Sequence, residues 1–156
     1  MRSVFALLVL FFLPGLARAG DPAFTRVWPQ WHNAESFDRI SEFFGGAENS
    51  GRQVVRRTHA ADRAGFYFLV RLNDAAALAG AKFVVNVIRP DAPDPKEFAF
   101  PAEARAGSAV FLLGLTGVDW PGGEKAHAVA WKLTLVAADG HTLAEQKSFL
   151  WEKPAK

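Results

Sequence analysis

Apolar and polar residues alternate most regularly in the C-terminal third of the chain. Between residues 129 and 135 every second side chain is large and apolar, which is the pattern of a strand with one face in a core. Asp139-Gly140 follows, two residues that tolerate the positive φ of a tight turn, and residues 143–151 run back. The pattern predicts a β-hairpin that holds Trp131 in the core.

The same kind of pattern predicts five strands before the hairpin. They cover residues 53–58, 64–72, 82–89, 97–102 and 108–115. The strand at 64–72 is expected to be central, since both of its faces carry large side chains. Prolines at 90, 93 and 95 predict an irregular loop before residue 97, and Gly114 predicts a bulge.

The register of the hairpin can be tested in advance. A strict two-residue turn would pair Lys132 with Lys147 and put Phe149 on the face opposite Trp131. Like charges directly across a sheet are unfavourable. We therefore expect a bulge within residues 145–148, or a three-residue turn, that brings Phe149 onto the Trp131 face.

About seven strands with turns between them, and no helix between most pairs, predict an all-β antiparallel sandwich over residues 52–153. The order of strand lengths resembles that of an immunoglobulin or fibronectin type III sandwich, although the cysteine pair of antibody domains is absent. This resemblance concerns a fold that hosts many functions, so it implies no activity.

Residues 20–51 are predicted to be a lead-in that ends in a short amphipathic helix. Asn33 can cap the helix and Gly45 can end it. A helix of this length is not stable alone in water, so we expect it to pack on the sheets. Its apolar stripe consists of Phe37, Ile40, Phe43 and Phe44.

Residues 1–19 have the form of a signal peptide. Arg2 precedes an apolar run at residues 4–13, and Ala17-Arg18-Ala19 has the small residues that signal peptidase reads. The apolar run is too short to span a bilayer. We therefore expect an exported protein, periplasmic or extracellular, whose mature chain has no transmembrane segment.

Net charge and cysteine content limit the classes of function that the protein can have. Arg2 and Arg18 are two of the 18 basic residues, so 16 basic residues face 16 acidic ones after removal of the signal. A balanced charge argues against nucleic-acid binding. The absence of cysteine excludes thiol catalysis and cysteine-based metal sites, and it leaves stability to the packed core.

No catalytic motif is evident, and we expect no cofactor and no metal site. The four histidines, His32, His59, His127 and His141, lie at unrelated positions without a recognised catalytic or metal-binding spacing. Prolines interrupt the acidic residues 91–103, which excludes a calcium loop. A hydrolase built from His32, His127 and scattered carboxylates is the least favoured alternative.

Two groups of residues are candidates for binding. The first is the densest positive cluster, which could grip an acidic group through forked hydrogen bonds or simply protect an edge strand: Arg52, Arg56, Arg57 and Arg63. The second is a set of tryptophans that could stack on sugar rings or pack in the core: Trp28, Trp31 and Trp120.

The leading hypothesis from the sequence is a non-catalytic exported β-sandwich that binds a protein partner in the cell envelope or secreted space. Its expected contact surfaces are the region 52–63 and the loop 116–125, because binding on sandwiches concentrates at edges and end loops. The alternative is a carbohydrate-binding module that uses surface tryptophans.

Overall fold

The computed structural model describes residues 22–37, 53–73, 78–103 and 109–152, which form eight strands. The predicted signal peptide, Arg52 and most of the predicted helix lie outside these ranges. The strands are β1 (Phe24–His32), β2 (Gln53–Arg57), β3 (Gly65–Leu72), β4 (Lys82–Arg89), β5 (Ala92–Pro101), β6 (Val110–Thr116), β7 (Ala130–Val136) and β8 (Thr142–Lys147).

The strands form two four-stranded sheets, with the orders β1-β3-β6-β2 and β5-β4-β7-β8. Neighbouring strands are antiparallel except β2 and β6, which are parallel. The sequence predicted β2 as an edge strand, and it is one. Its parallel pairing was not expected, because alternation along one strand carries no information about the direction of its neighbour.

The inner faces of the two sheets share one apolar core. Phe68 of β3 meets Trp131 of β7 edge-on at 5.6 Å, and Phe83 of β4 meets Phe111 of β6 at 4.8 Å between ring centroids. Trp131 is buried, as the alternation predicted. Strands β3 and β4 lie within one residue of their predicted bounds.

A second, smaller cluster lies on the outer face of the β1-β3-β6-β2 sheet. Tyr67, Leu112 and Phe37 are buried there. Gly114 makes no bulge. It pairs with Tyr67 across the strands, and a Cβ at this position would lie 2.3 Å from the Tyr67 ring. The glycine is therefore needed because the tyrosine ring lies flat over its backbone.

Strand β1 was not predicted, since the sequence analysis assigned residues 20–51 to a lead-in and a short helix. Residues 24–32 pair antiparallel with β3, with Val27 opposite Val70 and Trp31 opposite Phe66. Pro29 obscured the strand in the sequence. A proline is tolerated here because β1 lies at the edge of its sheet, where the missing N–H costs no ladder hydrogen bond.

Strand β5 is longer than predicted because its prolines, too, are tolerated in an edge strand. It begins at Ala92, so the expected irregular loop shrinks to the turn at residues 90–91. Pro93 and Pro95 are part of this edge strand.

The hairpin has the three-residue turn that was expected, but this turn does not bring Phe149 onto the Trp131 face. Ala137 and His141 are hydrogen-bonded around a three-residue turn, but an irregularity between β7 residues 135 and 136 restores the original register. Lys132 and Lys147 are therefore paired after all. Phe149 leaves the sheet in a 3-10 turn, Phe149–Glu152, and its side chain is exposed.

The described start of the predicted helix is a 3-10 turn, Ala34–Phe37. Asn33 caps it, since the Ser36 N–H donates to Asn33 Oδ1 at 2.9 Å. Residues 38–50, which carry the rest of the predicted apolar stripe, lie outside the described residues.

The two ends of the sandwich differ. We call one the pocket end: it carries the loop 58–64, the segment 117–129 and the turn Phe149–Glu152. The pairs His32–Gly65, Gly65–Thr116, Ile88–Ala130 and Lys132–Lys147 place these segments at the same end of both sheets. We call the opposite end, with the turn 137–141, the hairpin end.

Candidate binding site

The loop 58–64 and the segment that follows β6 are joined by the buried side chain of Thr116. Its hydroxyl accepts from the His59 N–H at 3.0 Å and donates to the His59 carbonyl at 3.1 Å, while the Thr116 N–H donates to Thr58 Oγ1 at 3.0 Å. The two predicted contact surfaces were the region 52–63 and the loop 116–125, and these hydrogen bonds join the described end of the first to the start of the second.

Asp119 connects this surface to the second sheet. Its carboxylate accepts from Lys96 Nζ of β5 at 2.7 Å, and its carbonyl accepts from Arg89 Nη1 of β4 at 2.9 Å. His59 Nε2 lies 3.0 Å from Asp119 Oδ2, although the two atoms are not aligned for a hydrogen bond. The His59 contact is therefore electrostatic.

The surroundings of Asp119 favour its charged form. Burial raises its pKa, but hydrogen bonds from Lys96 and Thr58 and the nearby charges of Lys96 and His59 outweigh that effect. The pKa of Asp119 therefore lies below its ordinary value of 3.8. The Asp119 carboxylate is therefore negatively charged at neutral pH, and it links the loops of the pocket end to β5.

An open pocket of about 440 Å³ lies between the two loops. Its lining combines indole rings and small residues with two charged residues: Trp31, Ala34, Ala61, Asp62, Arg63, Ala64, Gly117 and Trp120. Gly117 has φ of 56°, and a Cβ there would lie 2.3 Å from Asp62 Oδ2. Only glycine lets the Asp62 carboxylate approach this closely without moving.

The three candidate tryptophans lie in different environments. Trp120 is only 4% exposed and stacks on Phe66 at 4.3 Å, and its Nε1–H donates to the Gly123 carbonyl. Trp31 is half-buried against the core. Trp28 is 52% exposed on β1, with Arg26 over its ring. They do not form one flat exposed platform, because Trp120 is part of the core.

The arginines do not form one patch either. Arg56 and Arg57 are consecutive in β2 and point to opposite faces: Arg56 donates to the Glu103 carbonyl, while Arg57 donates to Tyr67 Oη at 2.8 Å and covers the Phe37 ring. Arg63 lines the pocket, and its carbonyl accepts from Tyr67 Oη–H. Arg52 lies outside the described residues.

The hydrolase alternative requires His32 or His127 to lie beside a carboxylate. His32 contacts the Gln30 amide at 2.7 Å and the rings of Phe37 and Tyr67, and burial lowers its pKa. His127 is exposed. In the described ranges neither forms an ion pair with a carboxylate, and no three His, Asp or Glu side chains there are grouped to hold a metal ion.

The sequence reasoning missed the pairing of His59 with Asp119. The two residues are 60 positions apart, so no local spacing could reveal it. Gly117 and Asp119 lie in the glycine-rich loop 116–125. The glycines of this loop were the one feature of the sequence that could have indicated close packing around Asp119.

Exposed large apolar side chains are concentrated at the pocket end. In the described part of the chain, Val118, Val129, Phe149 and Leu150 are exposed at this end, and Trp28 on the side of β1 is the remaining one. Clusters of exposed apolar side chains mark interaction surfaces.

Comparison with protein-family models finds no matching family, and comparisons with curated proteins and with solved structures find no match. Within the residues described, no helix has the length and apolar character needed to span a bilayer. The function is therefore inferred from the geometry of the pocket end.

Proposed function

We propose that the protein is a non-catalytic, exported β-sandwich module that binds a protein partner in the cell envelope or secreted space through its pocket end. The observation that carries the proposal is the joining of the loop 58–64 to the segment 117–123 around an open pocket, with Val118 77% exposed beside it. Export is the part that depends on residues 1–19.

The contact surface combines features that protein interfaces use. Its backbone is held by Thr116 and Asp119, so little conformational entropy is lost on binding. Val118 offers an apolar anchor, and Asp62 and Arg63 offer charges of both signs at the pocket. An apolar centre with a polar rim is the usual arrangement of a protein interface.

The experiment begins with capture of partners from envelope extract by the immobilised chain from Gly20 onward. Each captured protein is purified and its affinity measured by calorimetry. Val118→Asp should weaken binding at least tenfold, because it puts a charge into the apolar centre. Trp28→Asp, at another exposed apolar residue away from the pocket end, is the control and should leave binding unchanged. Equal affinity of the wild type and Val118→Asp would refute the proposal.

A carbohydrate ligand is the second candidate, supported by Trp31. Trp31 is partly exposed and lines the pocket together with Asp62 and Arg63, residue types that hydrogen-bond sugar hydroxyls. Glycan-array binding that is abolished by Trp31→Ala and retained by Val118→Asp would favour this candidate over the protein partner.

We also propose that the sandwich is of the immunoglobulin or fibronectin type III kind. The strand orders β1-β3-β6 and β4-β7-β8 support this, since they correspond to the A-B-E and C-F-G orders of such domains. Strand β2 occupies the edge where strand D lies, although it comes earlier in the chain and runs parallel to β6. A solved structure with a different order would contradict this assignment.

A further inference from the structure

The 3-10 turn Phe149–Glu152 holds two large apolar side chains in solvent. Phe149 is 79% exposed and Leu150 is 49% exposed. The backbone is anchored at Ser148: the Ser148 N–H donates to the Trp131 carbonyl, and the Trp131 N–H donates to Ser148 Oγ. The Trp151 N–H in turn donates to the Ser148 carbonyl. The exposure is thus a property of an ordered turn next to β7.

By itself, this apolar surface is small for a stable protein interface. It consists of Phe149 and Leu150, with the exposed Val129 just before the start of β7 at the same end of the sheet. Three protruding side chains cover far less than the roughly 1,200–2,000 Å² that a stable protein complex buries. A lipid surface requires no complementary shape, so a convex apolar turn suits it.

The charges around the turn complement an anionic surface. Lys132 Nζ lies 5.8 Å from the centre of the Trp151 ring. Lys147, whose Nζ is 4.0 Å from Glu145 Oε1, lies two residues before the turn. In the sequence, Glu152 is the one acidic residue between Lys147 and Lys156. Tryptophan and lysine beside apolar residues are typical of segments that lie at the membrane–water interface.

We propose that the turn Phe149–Glu152 contacts an anionic membrane, with Phe149 and Leu150 entering the boundary between headgroups and acyl chains and Lys132 facing the lipid phosphates. Removing one such side chain from water shifts a partition equilibrium roughly ten- to hundredfold. Two side chains and a few lysines give weak, reversible binding that falls with salt. This contact is separate from partner binding at Val118, and it would hold the pocket near a membrane surface.

The test is co-sedimentation of the chain from Gly20 onward with vesicles, since residues 4–13 would bind lipid on their own. Vesicles of equal phosphatidylglycerol and phosphatidylcholine are compared with vesicles of phosphatidylcholine alone. The double variant Phe149→Ser, Leu150→Ser should partition at least tenfold less onto the anionic vesicles than the wild type. Trp28→Ser, which removes an exposed apolar side chain elsewhere, should change partition less than twofold.

Two further measurements make the result specific. Lipids brominated near the headgroup should quench the fluorescence of the wild type, and Trp151→Phe should remove most of that quenching. Failure of the wild type to bind anionic vesicles would overturn the proposal, as would equal binding by the double variant. Sedimentation equilibrium that shows a dimer in the wild type and a monomer in the double variant would assign the turn to a second copy of the chain and overturn it as well.

Discussion

Each end of the sandwich carries an aspartate beside a histidine, and the two pairs behave differently. At the hairpin end, Asp139 and His141 are two residues apart, and their side chains are 71% and 60% exposed. At the pocket end, Asp119 and His59 come from different loops, and the Asp119 side chain is only 15% exposed. The first pair shapes its own turn, while the second joins distant parts of the chain.

The pKa of each aspartate is lowered, but for different reasons. At Asp139 the main cause is hydrogen bonding from the His141 backbone and side chain. At Asp119 burial acts in the opposite direction and is overcome by Lys96, Thr58 and His59. A charge that is kept despite burial must be held by several partners, so its loss affects more of the structure than the loss of an exposed charge.

Replacing the two aspartates gives the largest expected difference between the ends. Asp119→Asn keeps the shape but loses the charge-assisted hydrogen bond from Lys96, so the free energy of unfolding should fall by about 1–2 kcal/mol. Asp139→Asn should have no measurable effect. Urea unfolding of the two variants at pH 7 measures the difference.

The Asp119 effect should also depend on pH. Because the folded-state pKa is below that of the unfolded chain, the charge stabilises the fold above about pH 4 and this contribution is lost as the pH falls further. The wild type and Asp119→Asn should therefore converge in stability in the acid range below the folded-state pKa of Asp119. A difference that persists there would mean that the asparagine disturbs packing.

Two glycines with positive φ provide a second matched comparison. An alanine at Gly117 or at Gly140 must adopt a left-handed conformation, and each should cost about 1–2 kcal/mol of stability. They differ in their surroundings, since a Cβ at Gly117 would displace the Asp62 carboxylate and a Cβ at Gly140 meets no atom within 4 Å. Partner affinity should therefore fall in Gly117→Ala and remain unchanged in Gly140→Ala. Equal affinities would show that the position of Asp62 does not matter for binding.

The smallest expected effect concerns His32, which faces Phe37, Tyr67 and Gln30 on the outer face of the first sheet. Burial lowers its pKa, so the folded protein keeps the neutral ring more readily than the unfolded chain does. The stability that depends on the neutral ring is complete above about pH 6.5 and decreases as the pH falls through the folded-state pKa. His32→Asn should make the unfolding midpoint depend less steeply on pH between about 7 and 5. An unchanged slope would exclude His32 as its cause.

Local patterns predicted much of the fold. Strands β3, β4 and β7 were found because their alternating side chains report on a core that covers one face or both. The strands β1 and β5 were missed or shortened because their prolines look like breaks in the sequence and are tolerated only at a sheet edge. Whether a strand lies at the edge depends on the order of all strands in the sheet, so it cannot be predicted from the sequence of that strand alone.

The candidate site was predictable in outline only. Trp31, Arg63 and Trp120 were candidates from the sequence, and they line the same pocket. Their expected roles changed, because stacking on Phe66 buries Trp120 and β2 points Arg56 and Arg57 to opposite faces.

The sequence by itself determined that the chain forms strands without disulfides, where its central strands lie and that Trp131 is buried, because these depend on side-chain period and composition. Only the tertiary structure decided that the loop 58–64 meets the segment after β6, that Asp119 is held by Lys96 and His59, and that Phe149 points into solvent. These features depend on sheet order and on a one-residue change of register, which bring together residues that are far apart in the chain.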